Sequence, residues 1–513
     1  MTEQQRSALR HPFRWLLNTE PEQPDEIPRK ELTCYTLGLT GQNQLYGMAG
    51  GNWFFHFCTN VLKLSPLTVG KMTGATTVFD ALNDPVAGAI IDNYRFKDGR
   101  KLLPWIKYTS PFIAVLAFML FINWNVPSTG LMVLYCTVVY VMWDILYSFQ
   151  DAALWGMTAA ISNNSAQRAR ATQWADIGTL LGGLLPGLLL PMLGGGGAFG
   201  LNQQQVYLLF ATFMCLGGGF LTMASLGTKE RARALSAEIW SAEKNAGESK
   251  APKEQSFFKS ISVLRHNYVL LLFLASELLK KCSPRVTDVY IFQQLTYQIG
   301  GKIVSAAVLV PILVVITGLP GTAMKFFATK IADRVGGMKR VLLIGCVTEI
   351  VIRLLQFAIG IKTLPAFIFM YSLQTLHELP NGIYNIAMRS MISDSVEYVE
   401  WKTGKRTEGV TMSVRNLMSK MSGAIESYIQ GLCLHFLQFN AANVELGLPQ
   451  NAHFQKWIWP MYRLGPVLGL VFALIPILLL RYPDSLKRQV ESEMAERRKA
   501  GVRDQEAGIR VEN

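Results

Sequence analysis

Two carboxylates four residues apart, Asp80 and Asp84, stand in TVFDALNDPVAG, an otherwise uncharged stretch of a 513-residue chain. On a helix this spacing puts both on one face. In low dielectric they repel unless a cation or proton sits between them. Hard cations prefer oxygen ligands, and Asn83 adds an amide oxygen while Pro85 allows a local distortion. The pattern predicts a coupling-cation site on the second span. The fourth span, YVMWDILYSFQDAALWG, places Asp144, Ser148 and Asp151 at i, i+4 and i+7, with Trp155 one turn further. A carboxylate beside an indole suits a sugar: the acid accepts from hydroxyls and the ring stacks on the apolar C–H face. Lys420, in NLMSKMSG of the eleventh span, needs an anionic partner, and these acids are the candidates.

Other in-span polar groups have plainer readings. Glu349 and Arg353 are spaced to pair along one helix, and Glu277 with Lys280 and Lys281 is read in the same way. His56 is a satisfied polar group. Trp53, Gln374, Asn381 and Asn385 are read as cavity lining. The seven cysteines lie mostly in apolar runs without metal-like spacing, so they act as small hydrophobes.

The elements that must position these groups are membrane helices. Half of the chain is hydrophobic and only 17% is charged, against about 25% in soluble domains; the mean hydropathy is +0.23. Predominantly apolar runs, with at most two charged residues each, extend from Ser110 to Trp124, Gly130 to Ile145, Ile177 to Leu193, Val206 to Leu226, Ile303 to Leu319, Val341 to Ile361 and Met461 to Leu480. Such runs, of the order of 20 residues, fit helices crossing a bilayer rather than barrel strands. The net charge of +13 lies between spans. That is a positive-inside pattern and not a nucleic-acid footprint. The basic loops around Arg95 to Lys101, Arg168, Arg334 to Arg340 and Lys402 to Arg406 are therefore expected on the cytoplasmic side with both termini. The polar start predicts no cleavable signal, the first span near Leu32 serving as an uncleaved one.

The spans group as six plus six. Residues 1–31 are read as a cytoplasmic segment, 32–227 as the first six-helix half, 228–258 as a charged linker, 259–482 as the second half and 483–513 as a charged cytoplasmic tail. GAIIDNYRFKDGRK after the second span and TKIADRVGGMKR after the eighth form a faint repeat. Asp92, Arg100, Asp333, Arg334 and Arg340 are its candidate gating residues. The repeat resembles the loop signature of the major facilitator superfamily, so the expected fold is an all-α polytopic membrane protein with twelve transmembrane helices.

Several motifs narrow the resemblance. DALNDPVAGAIIDN with GRKLLPWI, QDAALWGM, DSVEYVEWKTGKRTEG between the tenth and eleventh helices, and Lys420 together resemble the glycoside–pentoside–hexuronide:cation symporters. The resemblance implies symport of a sugar or glycoside with Na⁺ or H⁺ by alternating access, in the inner membrane, without a cofactor and as a monomer. Asp80, Asn83, Asp84 and Ser148 would line the cation site. Asp151, Trp155, Lys420 and Asp144 would face substrate. The chain also departs from the family: a charged first-helix pair is replaced by Gln42, Asn43 and Gln44, a fifth-helix arginine by Asp176 beside Trp174, and a tenth-helix tryptophan by Asn385. These positions mark a rebuilt substrate half. A non-sugar solute, such as a sulfonated compound, lipid or organic anion, and an exporter on the same fold are the alternatives. No His-rich cluster, nucleophile elbow or phosphate loop points to an enzyme.

Overall fold

The computed structural model describes residues 26–231 and 267–480, except 51, 95, 97–99, 163, 194–200, 288, 293–294, 307–308, 310–312, 314–333, 336–337, 404–407 and 447, with scattered positions between 486 and 496. In chain order the helices are α1 (Arg29–Ala49), α2 (Asn52–Asn60), α3 (Pro66–Asn93), α4 (Leu103–Met119), α5 (Thr129–Ala160), α6 (Ser165–Leu193) and α7 (Gln203–Gly227). They continue with α8 (Tyr268–Lys281), α9 (Val289–Phe292), α10 (Met338–Ile359), α11 (Leu364–Thr403), α12 (Glu408–Phe436), α13 (Ala441–Glu445), α14 (Ala452–Arg463) and α15 (Gly465–Leu479).

Among the described residues, four segments are long and apolar enough to cross a membrane: Thr129–Thr158, Gln203–Gly227, Lys339–Ile359 and Ala452–Leu479. Helices α1, α3, α6 and α12 have 21, 28, 29 and 29 residues, long enough to span at about 1.5 Å per residue. Their apolar character is diluted by the groups of interest, Gln42, Asp80, Asp84, Asp176 and Lys420 among them. Outward-facing apolar side chains such as Leu82, Phe112, Phe213, Phe220 and Leu478 are 61–78% exposed, as a lipid-facing surface requires.

Local chemistry sets the helix ends. Ser65 caps α3 by accepting from the Thr68 N–H at 3.1 Å, with Pro66 at the first helical position. The N-terminus of α4 is capped from a distance: Glu230 accepts from the N–H groups of Lys101, Leu102 and Leu103 at 2.7–3.0 Å. Next to it, Arg231 bonds both carboxylate oxygens of Glu31 on α1 at 2.6 and 2.8 Å. The residues just after α7 are thus stapled to α1 and α4.

Helix packing relies on small residues that let backbones approach. Gly70 and Gly74 of α3 face Gly431, Ser427 and Ala424 of α12; a Cβ on Gly70 would lie 3.0 Å from the Gly431 Cα. An aromatic cluster of Trp53, Phe57, Phe121, Trp143, Tyr207, Tyr290 and Phe367 fills the core where early and late helices meet.

Two expectations need correction. The apolar run from Ile303 begins in a strand and not in a helix: β1 (Thr296–Ile299) pairs antiparallel with β2 (Lys302–Ser305). The cause is the Gly300–Gly301 turn, both residues having positive φ, 56° and 79°, which glycine alone adopts freely. The stretch Asp394 to Gly409, read as a loop, is largely helical, because α11 continues to Thr403 and α12 starts at Glu408. Val396 and Val399 are buried there and Trp401 Nε1 donates to Glu493 at 2.6 Å, so an apolar stripe holds the segment in helix.

Candidate functional site

Helix α3 carries Asp80, Asn83 and Asp84 on one face, as their spacing requires. Pro85 lies inside the same helix and has no N–H to donate to the Ala81 carbonyl. The close α3–α12 approach brings Lys420 to them. Its Nζ donates to Asp80 Oδ1 at 2.6 Å and bonds Asp84 Oδ2 as well. Asp80, Asp84 and Lys420 side chains are 16%, 41% and 28% exposed, so the group lies at the edge of an opening rather than sealed in the core.

Helix α5 closes the other side. Ser148 Oγ accepts from Asn83 Nδ2 at 3.1 Å. Asp144 is buried, within hydrogen-bonding reach of Asp80, and its Oδ2 has no hydrogen-bond partner among the described residues. Asp151 Oδ1 accepts from Gln42 Nε2 of α1 at 2.5 Å. Tyr46 of α1 stacks on Tyr147 of α5 with ring centroids 5.4 Å apart. Four carboxyls thus gather around one ammonium. Charges of one sign at this density in low dielectric require cations or protons.

The other sequence candidates are distributed as follows. Trp155 is on α5, one turn beyond Asp151, and 36% exposed. Trp174 packs against Ile27, Leu32, Ile161 and Ala171 and is not brought to the cluster. Asp176 is exposed on α6. The side chains of Asp92, Asn381 and Asn385, and all of Asp333, lie outside the described residues. Arg100, Arg334 and Arg340 are exposed, and Arg340 Nη1 donates to the Val335 carbonyl at 3.4 Å. His56 is buried against the Tyr207 hydroxyl and ring. Trp53 is not cavity lining: it is 2% exposed and donates to the Pro186 carbonyl at 2.7 Å. Glu349 and Arg353 pair along α10 at 2.9 Å. Lys280 and Lys281 reach across the bundle, to Glu349 at 3.3 Å and Glu426 at 3.0 Å.

A cavity of about 750 Å³ lies between early and late helices. Thr77 and Tyr140 line it, one helical turn before Asp80 and Asp144, and so does Gln374. Its late-helix wall carries Arg285, Arg353, Arg463 and Glu426. Sequence reasoning did not single out Arg285, Arg463 or Glu426. Their signal was present, since each is a charge in or beside an apolar helix.

This arrangement, polar groups converging on a central cavity between two sets of apolar helices, is that of a solute transporter. The chain matches the family model described as MFS/sugar transport protein over residues 34–484, and it belongs to that family. It is therefore a multi-pass membrane transporter of the major facilitator fold, and not an enzyme. An uncharacterised symporter of Bacillus subtilis is 23% identical over 479 residues, covering 92% of this chain and 96% of that protein. The isoprimeverose transporter of Lactiplantibacillus pentosus is 24% identical, covering 89% of each. A putative 2,3-dihydroxypropane-1-sulfonate exporter of Escherichia coli is 26% identical, covering 82% and 86%. Among solved structures, the nucleoside transporter NupG superposes with a TM-score of 0.56 at 14% identity, covering 88% of this chain and 99% of that one, a likeness of fold.

Proposed function

We propose that the protein is a secondary active transporter that moves a sugar or glycoside together with Na⁺ or H⁺ by alternating access. The observation that carries this reading is the ion group Asp80–Lys420–Asp84, in which an internal ammonium occupies the place of a coupling cation. Asp80, Asn83, Asp84 and Ser148 form the cation site. Asp151, oriented by Gln42, accepts from substrate hydroxyls, with Trp155 beside it and Asp144 and Lys420 at the junction of the two sites. Helices α3 and α12 belong to opposite six-helix halves, so a cation that displaces Lys420 from the carboxylates alters the contact between halves. That change biases which side of the cavity is open. The chain acts as a monomer in the inner membrane, both termini cytoplasmic, with the exposed basic ends at Arg100, Arg334 and Arg340 as gating positions. The sugar assignment is supported by the isoprimeverose transporter relative.

Reconstituted protein and labelled isoprimeverose test the proposal. Accumulation above equilibrium is expected with an imposed Na⁺ or proton gradient and collapse when that gradient is dissipated. Accumulation indifferent to both gradients would refute the coupling. A second reading, export of a small organic anion, is favoured by the relative named a sulfonate exporter; it predicts outward movement of that solute from loaded vesicles.

A further inference from the structure

A second cavity, of about 500 Å³, lies at the ends of α2, α4, α5 and α7 that face away from the basic loops. That volume is within the range of about 300–1,000 Å³ usual for small-molecule sites. Its wall carries the side-chain amides of Asn60, Asn123, Asn125, Asn202, Gln203 and Gln204, and the buried side chains of Leu64 and Met132 give it an apolar floor. Lys63 is the charged side chain on it; among the described residues no carboxylate lines it. The two cavities share no described lining residue. Leu64 stands just before α3, and Asp80 lies roughly 20 Å further along that helix at about 1.5 Å per residue.

The amides are held so that they offer N–H groups. Asn60 is 2% exposed. Its Oδ1 accepts from Thr59 Oγ1 at 3.0 Å, and Thr59 Oγ1 lies 2.9 Å from the Tyr290 hydroxyl of α9. The amide is thereby fixed, and its Nδ2 is buried with no hydrogen-bond partner among the described residues. Asn123 Oδ1 is taken by the Asn125 N–H at 3.0 Å, and Asn202 Oδ1 by the Gln205 N–H at 2.8 Å, where it caps α7. Gln203, at the start of α7, adds a second buried donor without a partner, Nε2. Buried donors left unsatisfied cost about 1–3 kcal/mol each and are uncommon.

Two orphaned donors in one cavity call for oxygen acceptors. Single waters satisfy isolated groups, whereas a space of this size with several amides and an apolar floor fits a molecule that has both oxygens and C–H faces. The wall is made of neutral amides, and Lys63 already interacts with a neighbour, so no full charge is set aside for an ion. Hydroxyl and ether oxygens accept from the orphaned N–H groups, and hydroxyl protons meet the amide oxygens of Gln203 and Gln204. We infer that this cavity is a second, peripheral binding site, separate from the central one, for an uncharged polyhydroxylated compound. Asn60 and Gln203 are its directing donors.

Protection from alkylation tests the site in the full-length protein in phosphatidylcholine nanodiscs. Thr129 lines the cavity and is exposed, so a maleimide can reach the Thr129→Cys variant; Cys282, the exposed native cysteine, is changed by Cys282→Ser. The probes are methyl β-glucoside, glycerol and inorganic phosphate. At least one neutral probe should slow alkylation roughly tenfold at about ten times its half-protecting concentration, and phosphate should not. Asn60→Leu and Gln203→Leu should each raise the half-protecting concentration about threefold to tenfold, the value of one neutral hydrogen bond. Asp151→Ala, in the central site, should leave protection intact. The two leucine variants report on each other if one fails to fold. Protection by neither neutral probe would leave the cavity to water and overturn the inference. Phosphate protecting as well as the neutral probes would overturn it in favour of an anion, and protection unchanged in the leucine variants would overturn it outright. Loss of protection in Asp151→Ala would trace the effect to the central cavity and also overturn it. Protection that survives while uptake of labelled isoprimeverose fails would keep this site and remove only the transport reading.

Discussion

The ammonium of Lys420 lies 2.6 Å from the carboxylate of Asp80, a residue 340 positions earlier in the chain. It serves Asp84 at the same time. On the proposed function this tethered cation stands where a diffusible one would bind, and the two would compete. In Lys420→Met the carboxylates lose that competitor while the stem keeps similar volume. Apparent Na⁺ affinity should rise roughly tenfold, the scale of one lost close ion pair, and thermal stability in Na⁺-free buffer should fall. Unfolding temperature measured against Na⁺ concentration gives both. An unchanged Na⁺ midpoint would mean that Lys420 does not share the cation's place.

Removing one carboxylate tests the same group from the other side. Asp84→Asn leaves Lys420 paired with Asp80 and deprives a bound cation of one anionic ligand. Gradient-driven accumulation should be lost while downhill exchange of substrate across vesicles persists, because the proposed substrate contacts on α5 are untouched. Concentrative uptake as strong as in the parent protein, under either gradient, would sink the assignment of Asp84 to coupling.

Gln42 gives a distinct handle on substrate. Its amide is the hydrogen-bond donor to Asp151, and truncation leaves a carboxylate oxygen unsatisfied at a cost of about 1–3 kcal/mol. Gln42→Ala should raise KM for uptake roughly tenfold with little change in the cation midpoint. Gln42→Glu, which sets two acids against each other, should do worse. A shift confined to the cation midpoint would instead place Asp151 in the coupling site.

Part of this site could be read before any coordinates. Asp80, Asp84, Asp144 and Lys420 are charges in apolar runs, too costly there to be incidental, and helix periodicity alone set Asp80 with Asp84 and Ser148 with Asp151 on shared faces. The Gln42–Asp151 bond could not be found in that way, because a neutral glutamine in a span raises no alarm and its partner is 109 residues distant. Arg463 escaped notice at the junction of α14 and α15, near the start of the apolar run from Met461 to Leu480, where the surrounding hydrophobic residues outweigh one charge. The β1–β2 hairpin was legible in principle from Gly300–Gly301, but the apolar run that follows masked it. The helical stretch Asp394–Thr403 was hidden by its charges, since only its packing neighbours show which side chains are buried.

The α3–α12 seam offers a test independent of any ligand. A Cβ at Gly431 would come within 2.5 Å of the Pro66 carbonyl oxygen, a backbone atom that cannot yield without moving the helices apart. Gly431→Ala should therefore destabilise the protein by about 1–3 kcal/mol and weaken the Lys420–Asp80 contact by widening the seam that creates it. Gly88→Ala on α3, the other helix of the seam, is the control: nothing lies within 4 Å of its Cβ position, and alanine gains about 0.5–1 kcal/mol of helix propensity over glycine. The two variants should shift the unfolding temperature in opposite directions, and only Gly431→Ala should change the Na⁺ midpoint. Equal behaviour of the two would show that the seam does not position Lys420.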